Sequence, residues 1–94
     1  LGGVVPNVNE TLTGVKTMIG TRPLFVIAQE IEETWGNVSP YARPYLDAMK
    51  SLVTPAQNYY EDSGVSVVLY FLSNASHWRG DHARRIKAEL KEMV

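Results

Sequence analysis

The sequence predicts an all-α fold: a compact antiparallel bundle of about four helices, with a short extra helical turn and a loosely ordered N-terminal arm. Three observations carry this expectation. Apolar residues recur at helical spacing in several segments, start and stop residues bracket those segments, and the one long β-prone run has no comparable run to pair with. Residues 1–20 are expected to be peripheral and residues 21–94 to form a single helical domain.

The opening stretch "LGGVVPNVNETLTGVKT" is rich in Gly, Thr and Asn and lacks a helical stripe, so an extended arm is expected there. The chain starts on Leu1 rather than methionine, which suggests trimming or fusion, with Met18 a candidate start of the folded unit. The first helix is expected in "RPLFVIAQEIEETW". Leu24, Ile27, Ala28, Ile31 and Trp35 make its apolar stripe, and Gln29, Glu30, Glu32 and Glu33 fill the other face. Thr21 is the expected N-cap, Pro23 lies in the first turn, and Gly36 is the expected C-cap glycine.

A second helix is expected in "SPYARPYLDAMKSLV", capped by Ser39 with Pro40 at the first helical position. Tyr41, Tyr45, Met49 and Leu52 would line one side, and Pro44 marks either the true start or a kink. "TPAQ" repeats the start signal, with Thr54 and Gln57 at capping-box spacing, so a short helical turn carrying Tyr59 and Tyr60 is expected next. "GVSVVLYFLSNA" has strand propensity in Val65, Val67, Val68, Tyr70 and Phe71. Lacking a partner run, it reads better as a helix buried on most sides and started by Asp62 or Ser63. The last helix runs through "DHARRIKAELKEMV", with Ala83, Ile86, Leu90 and Met93 as its stripe and Asp81–Arg85 as a supporting pair.

Composition narrows the functional classes. With no cysteine among 94 residues, disulfides, thiolate metal sites and cysteine nucleophiles are excluded. The net charge of −1 is far from the basic excess of a domain that lives on phosphate backbones. Up to Asp47 there are three Lys/Arg against five Asp/Glu, and from Ala48 onward six against five, which leaves room for a local basic patch. No apolar run is long enough to span a membrane and no secretory signal is visible, so a cytoplasmic setting is expected. Sequons at Asn9, Asn37 and Asn74 carry no expectation of glycosylation in that setting.

Catalytic and metal patterns are weak. His77 and His82 are five residues apart, about 140° round a helix, and so do not share a face. Glu30 and Glu33 share a face at i,i+3, but no Glu-x-x-His motif accompanies them, and a solvated acidic face is the simpler reading. The triplet Arg79–Gly80–Asp81 is read as an acidic helix start rather than an adhesion loop. No cofactor or metal is expected, and the chain is read as non-enzymatic.

The candidate binding residues are Trp78, Arg79, Arg84, Arg85, Lys87 and Lys91. Two helices separated by a short turn, with Arg79, Arg84, Arg85, Lys87 and Lys91 on the second, sketch a helix-turn-helix, the nucleic-acid alternative, but Asp81, Glu89 and Glu92 interleave with them. Helical phase adds a sharper constraint. An unbroken helix from His77 would aim Arg79 at the centre of the Ala83–Ile86–Leu90 stripe. Either the chain turns at Gly80 and the helix begins at Asp81, or Arg79 is buried against Glu30 or Glu33. Trp78 is then either a lid packed over the end of the bundle or, with Arg79, an exposed anchor for a partner.

The segments "ETWGNVSPYARPYLDAM" and "VVLYFLSNASHWRGDHARRIKAELKEM" resemble a family of small uncharacterised helical proteins encoded on prophages, plasmids and mobile elements of gut Firmicutes. The resemblance runs from Leu24 to Val94 and is most specific in "YFLSNA", "WRG" and "ARRIKAEL". It implies a genetic setting rather than residue roles. Small proteins in that setting often bind a host or element protein, as anti-defence factors such as anti-CRISPR inhibitors do, or act as accessory DNA-binding regulators. The combined expectation is a protein-binding domain, with DNA binding as the alternative and self-association compatible with so small a core.

Overall fold

A computed structural model describes residues 22–94 of the chain, so the expectations for residues 1–20 and for a cap at Thr21 lie outside the described residues. Helix α1 spans Leu24–Thr34 and buries the predicted stripe of Leu24, Ile27, Ala28 and Ile31, with Trp35 following at its end. Its cap residues are Pro23 and Trp35. Pro23 offers its carbonyl to the N–H groups of Val26 and Ile27 at 3.0 and 3.1 Å, while Leu24 and Phe25 donate outward to Val53 and Leu52. Trp35 N–H closes the helix on Ile31 O at 2.7 Å, and Gly36 follows with an ordinary backbone rather than a left-handed one.

The second helix, α2, is Arg43–Met49, so the start lies at the later of the two sites that Pro44 allowed. Ser39 instead shapes the turn before it: its Oγ accepts from Tyr41 N–H, and its carbonyl accepts from Ala42 and Arg43. Tyr41 therefore stands outside the helix and is 76% exposed, while Leu46, Met49 and Leu52 enter the core.

The expected helical turn after "TPAQ" is a correction. Gln57 Oε1 does reach back to the N–H groups of Val53 and Thr54, at 2.6 and 3.1 Å, as a capping box would. The helix does not propagate because the Gln57 carbonyl is taken by Gly64 N–H at 2.6 Å. The chain folds instead into a hairpin of β1 (Asn58–Tyr59) and β2 (Asp62–Ser63), antiparallel with Asn58 opposite Ser63 and Tyr59 opposite Asp62. Tyr60 turns the corner at φ 56°, a left-handed conformation unusual for an aromatic residue. The described residues are thus helix-rich with a small two-stranded sheet, which the all-α expectation did not include.

The β-prone run is the helix α3, Gly64–Ser73. Ser63 caps it by accepting Ser66 N–H at 3.0 Å, and Val67, Val68 and Phe71 are buried. Helix α4, Asp81–Met93, completes the four helices of the described residues and buries Ala83, Ile86 and Leu90. Together these stripes form one apolar core, closed at one end by aromatic rings. Among the described residues no helix is long and apolar enough to cross a membrane.

Candidate functional site: a basic corner beside the Gly80 bend

The segment between α3 and α4 carries Trp78 and Arg79, and α4 carries Arg84, Arg85, Lys87 and Lys91. Asn74 ends α3, its side-chain Nδ2 donating to Tyr70 O at 2.8 Å, and the chain then drops Ala75 and Trp78 into the core. Trp78 is 4% exposed. Its ring stacks on Trp35 at 5.2 Å with planes 9° apart, and Phe71 meets it edge-on at 6.5 Å. Trp78 is therefore the lid and not an exposed anchor, which removes it from the candidate surface.

Gly80 supplies the bend. At φ 110° and ψ −177° it reverses the chain, and α4 opens at Asp81 with Arg84 N–H reaching Gly80 O at 2.9 Å. Of the two alternatives posed by helical phase, the structure selects this turn. Arg79 points to solvent, and Glu30 is held by other cations.

Those ion pairs sort the predicted basic residues into two groups. Arg84 pairs with Asp81, one turn back on the same exposed face. Arg85 donates to Glu30 Oε2 at 2.6 Å and so ties α4 to α1. The helical support expected from Asp81–Arg85 is thus replaced by Asp81–Arg84, which frees Arg85 for the longer bridge. Arg22 extends this link: its Nε and Nη2 grip both oxygens of Glu89, at 3.0 and 2.7 Å, while its Nη1 lies 2.8 Å from Glu30 Oε1. Two arginines, Arg85 foremost, hold the Glu30 carboxyl below its ordinary range, and Glu89 in turn raises the Arg22 guanidinium. A second cluster joins α1 to α2, where Glu32 takes Lys50 and Arg43, each at 2.6 Å, and Asp47 sits beside both cations. Lys50 and then Arg43 hold the Glu32 carboxyl down as well.

What remains is a compact group. Among the described residues, Arg79, Lys87 and Lys91 are the Lys/Arg side chains with no carboxylate within ion-pair distance. They lie together. Lys87 is half-buried, donates to Trp78 O at 2.7 Å and sits 5.9 Å from the Trp78 ring. Burial first, and then the charges of Lys91 and Arg79, push the Lys87 ammonium below its ordinary value. Lys87 and Lys91 are one helical turn apart, a spacing at which like charges cost about 0.2–0.5 kcal/mol. The corner thus holds three positive charges on a support of Trp78 and α4, with no carboxylate of the described residues paired to them.

The remaining candidates are placed simply. His77 and His82 are both exposed, and His82 Nδ1 lies 3.5 Å from Arg85 Nη2. Glu33 is exposed, while Glu30 is consumed by its arginines, so the pair does not converge on a common ligand. Sequence reasoning missed Arg22 and Glu89, which meet across 67 residues and leave no local signature.

No family model matches the chain, and neither a curated protein nor a solved structure matches it.

Proposed function

We propose that this domain works without catalysis, as a protein-binding module whose basic corner of Arg79, Lys87 and Lys91 receives an acidic surface of the partner. The observation that carries this reading is the sorting of charge: among the described residues five Lys/Arg side chains are spent on ion pairs, and the other three gather beside one bend. Unpaired like charges repel each other, and an anionic partner converts that repulsion into binding free energy and a faster encounter. The bundle-like packing of the helices serves as a rigid mount. In the mobile-element setting that the resemblance implies, the partner is a host or element protein, a defence component among the candidates.

The same sorting favours a protein over a duplex. A recognition helix needs free donors in its first turns, and here Arg84 and Arg85 are engaged by Asp81 and Glu30. Asp81 adds a negative charge where a phosphate would approach.

A pull-down with the wild-type chain and the double variant Arg79→Glu plus Lys91→Glu tests the reading. An acidic partner captured by the wild type, lost by the double variant and retained by the control Glu33→Lys supports it. Capture that ignores the double substitution overturns it. Duplex binding that falls steeply with salt and depends on Arg84 and Arg85 replaces it with the DNA reading.

A further inference from the structure

The lysines of the described residues sit in different settings. Lys50 is exposed and bridged to Glu32 at 2.6 Å and Asp47 at 3.3 Å, and Glu32 above all holds its ammonium in the charged form. Lys91 is exposed, with no carboxylate of the described residues in ion-pair distance. Lys87 is half-buried, and its Nζ donates to the Trp78 carbonyl at 2.7 Å beside the Trp78 ring. That ring is itself fixed by its stack on Trp35, so the Lys87 nitrogen has a rigid seat. A neutral carbonyl accepts from an amine N–H as it does from an ammonium N–H. The seat of Lys87, unlike that of Lys50, therefore does not require the charged form.

We propose that Lys87 is an acyl-acceptor site, modified at Nζ by small acyl phosphates whose phosphate group is held by Arg79 and Lys91. A desolvated lysine beside other cations is the arrangement that makes an amine nucleophilic near neutral pH. Burial, and then Lys91 and Arg79, push the Lys87 ammonium in that direction. Arg79 and Lys91 carry no carboxylate among the described residues, so both can take an anion. The position of the anion selects the donor. In an acyl phosphate a single oxygen joins the phosphate to the reacting carbonyl, so cations about one helical turn from the amine meet it. In a nucleotide-carried thioester the phosphates lie at the far end of a long arm, away from the reacting carbon.

The step balances with the acyl phosphate as its one co-reactant. The ammonium gives a proton to water, and the freed lone pair forms the N–C bond to the acyl carbon. The C–O bond to phosphate breaks with its electron pair on the phosphate oxygen. A second proton passes from nitrogen to that oxygen, and hydrogen phosphate departs. The amide product keeps one N–H for the Trp78 carbonyl, so the seat survives while the corner loses one of its three charges. Where the corner receives an acidic partner, which rests on the function proposed above, this modification weakens that binding.

Acetyl phosphate is the probe, added to the full chain and followed at each lysine by peptide mass spectrometry. Lys87 should gain acetyl before Lys91 and at least about tenfold faster than Lys50, the lower end of what clustered charge does to the local concentration of a counter-ion. The double variant Arg79→Gln plus Lys91→Gln should slow transfer from acetyl phosphate to Lys87 about tenfold. Transfer from neutral p-nitrophenyl acetate, and from acetyl-coenzyme A, should fall by less. Inorganic phosphate added to the wild type gives the same reading without any substitution: it should slow Lys87 and leave Lys50 unchanged. Equal labelling of Lys50 and Lys87, or labelling that reaches Lys91 first, overturns the inference. So does a double variant that slows all three donors alike, or a Lys87 rate that ignores inorganic phosphate. None of these readouts involves a partner, so failure here and failure of the binding reading are separate results.

Discussion

Replacing Gly80 with alanine isolates the cost of the bend that separates Trp78 from α4. Gly80 sits at φ 110° and ψ −177°, a region that L-residues with a side chain essentially avoid. A Cβ built there meets nothing within 4 Å, so the penalty is one of backbone conformation and not of crowding. Holding L-alanine in that conformation costs about 1–3 kcal/mol, and a domain of this size loses about 4–8 °C in Tm for each kcal/mol. Gly80→Ala should thus melt about 4–24 °C lower than the wild type in a far-ultraviolet thermal scan. Gly36 is the matched control, since its Cβ also meets nothing within 4 Å and its backbone is ordinary. Gly36→Ala should be neutral or stabilising by up to about 1 kcal/mol through the unfolded state. Chirality sharpens the comparison. The mirror image of the Gly80 dihedrals is common extended backbone, so D-alanine at position 80, introduced by chemical synthesis, should lose none of the stability that L-alanine loses. Equal melting of Gly80→Ala and Gly36→Ala, or equal loss with both alanine enantiomers, would refute the strain account.

Three further outcomes are expected. Gly64→Ala should destabilise by about 1–3 kcal/mol in urea titration, because its Cβ would meet Pro55 O at 2.6 Å and Gln57 O at 2.8 Å, both backbone atoms. Trp78→Ala should cost about 3–5 kcal/mol, a large share of what so small a domain has, while Lys91→Ala on the open surface stays within about 0.5 kcal/mol of wild type. Acid should weaken the fold through Glu30 and Glu32, whose carboxyls are held below their ordinary values by Arg85 and Arg22 and by Lys50 and Arg43. For carboxylates depressed in this direction, the contribution is complete above the unfolded value of about 4.3 and is lost as pH falls through the lower folded value. Tm should stay level from neutral pH to about 5 and then decline, and Glu30→Gln should shallow that decline; an unchanged acid limb would remove Glu30 from the account.

The features that were legible in the sequence are local ones. The stripes of α1 and α4 follow from spacing, while residue type narrowed the α3 cap to Asp62 or Ser63 and the fate of Arg79 to two alternatives, of which the structure takes Ser63 and the turn at Gly80. The hairpin was hidden because its deciding bond joins Gly64 to Gln57, and the capping-box signal at Thr54 is satisfied whether or not a helix follows. The ion pairs were hidden by distance: Arg85 could be assigned to nearby Asp81, while its actual partner Glu30 lies 55 residues away. Trp78 had two readings because nothing next to it names Trp35, the ring that buries it. The basic corner was legible as residues but not as a group, since only the three-dimensional pairing shows which cations are already neutralised.

The stack of Trp35 on Trp78 has an optical consequence. These are the two tryptophans of the chain, so its entire indole signal originates at one joint, where the end of α1 meets the segment leading into α4. Near-parallel rings 5.2 Å apart couple their transitions, and the coupling vanishes once the joint opens. Indole ellipticity followed beside backbone ellipticity then distinguishes a fold that dissolves in one step from one whose aromatic end loosens first. The protein carries this probe without any label.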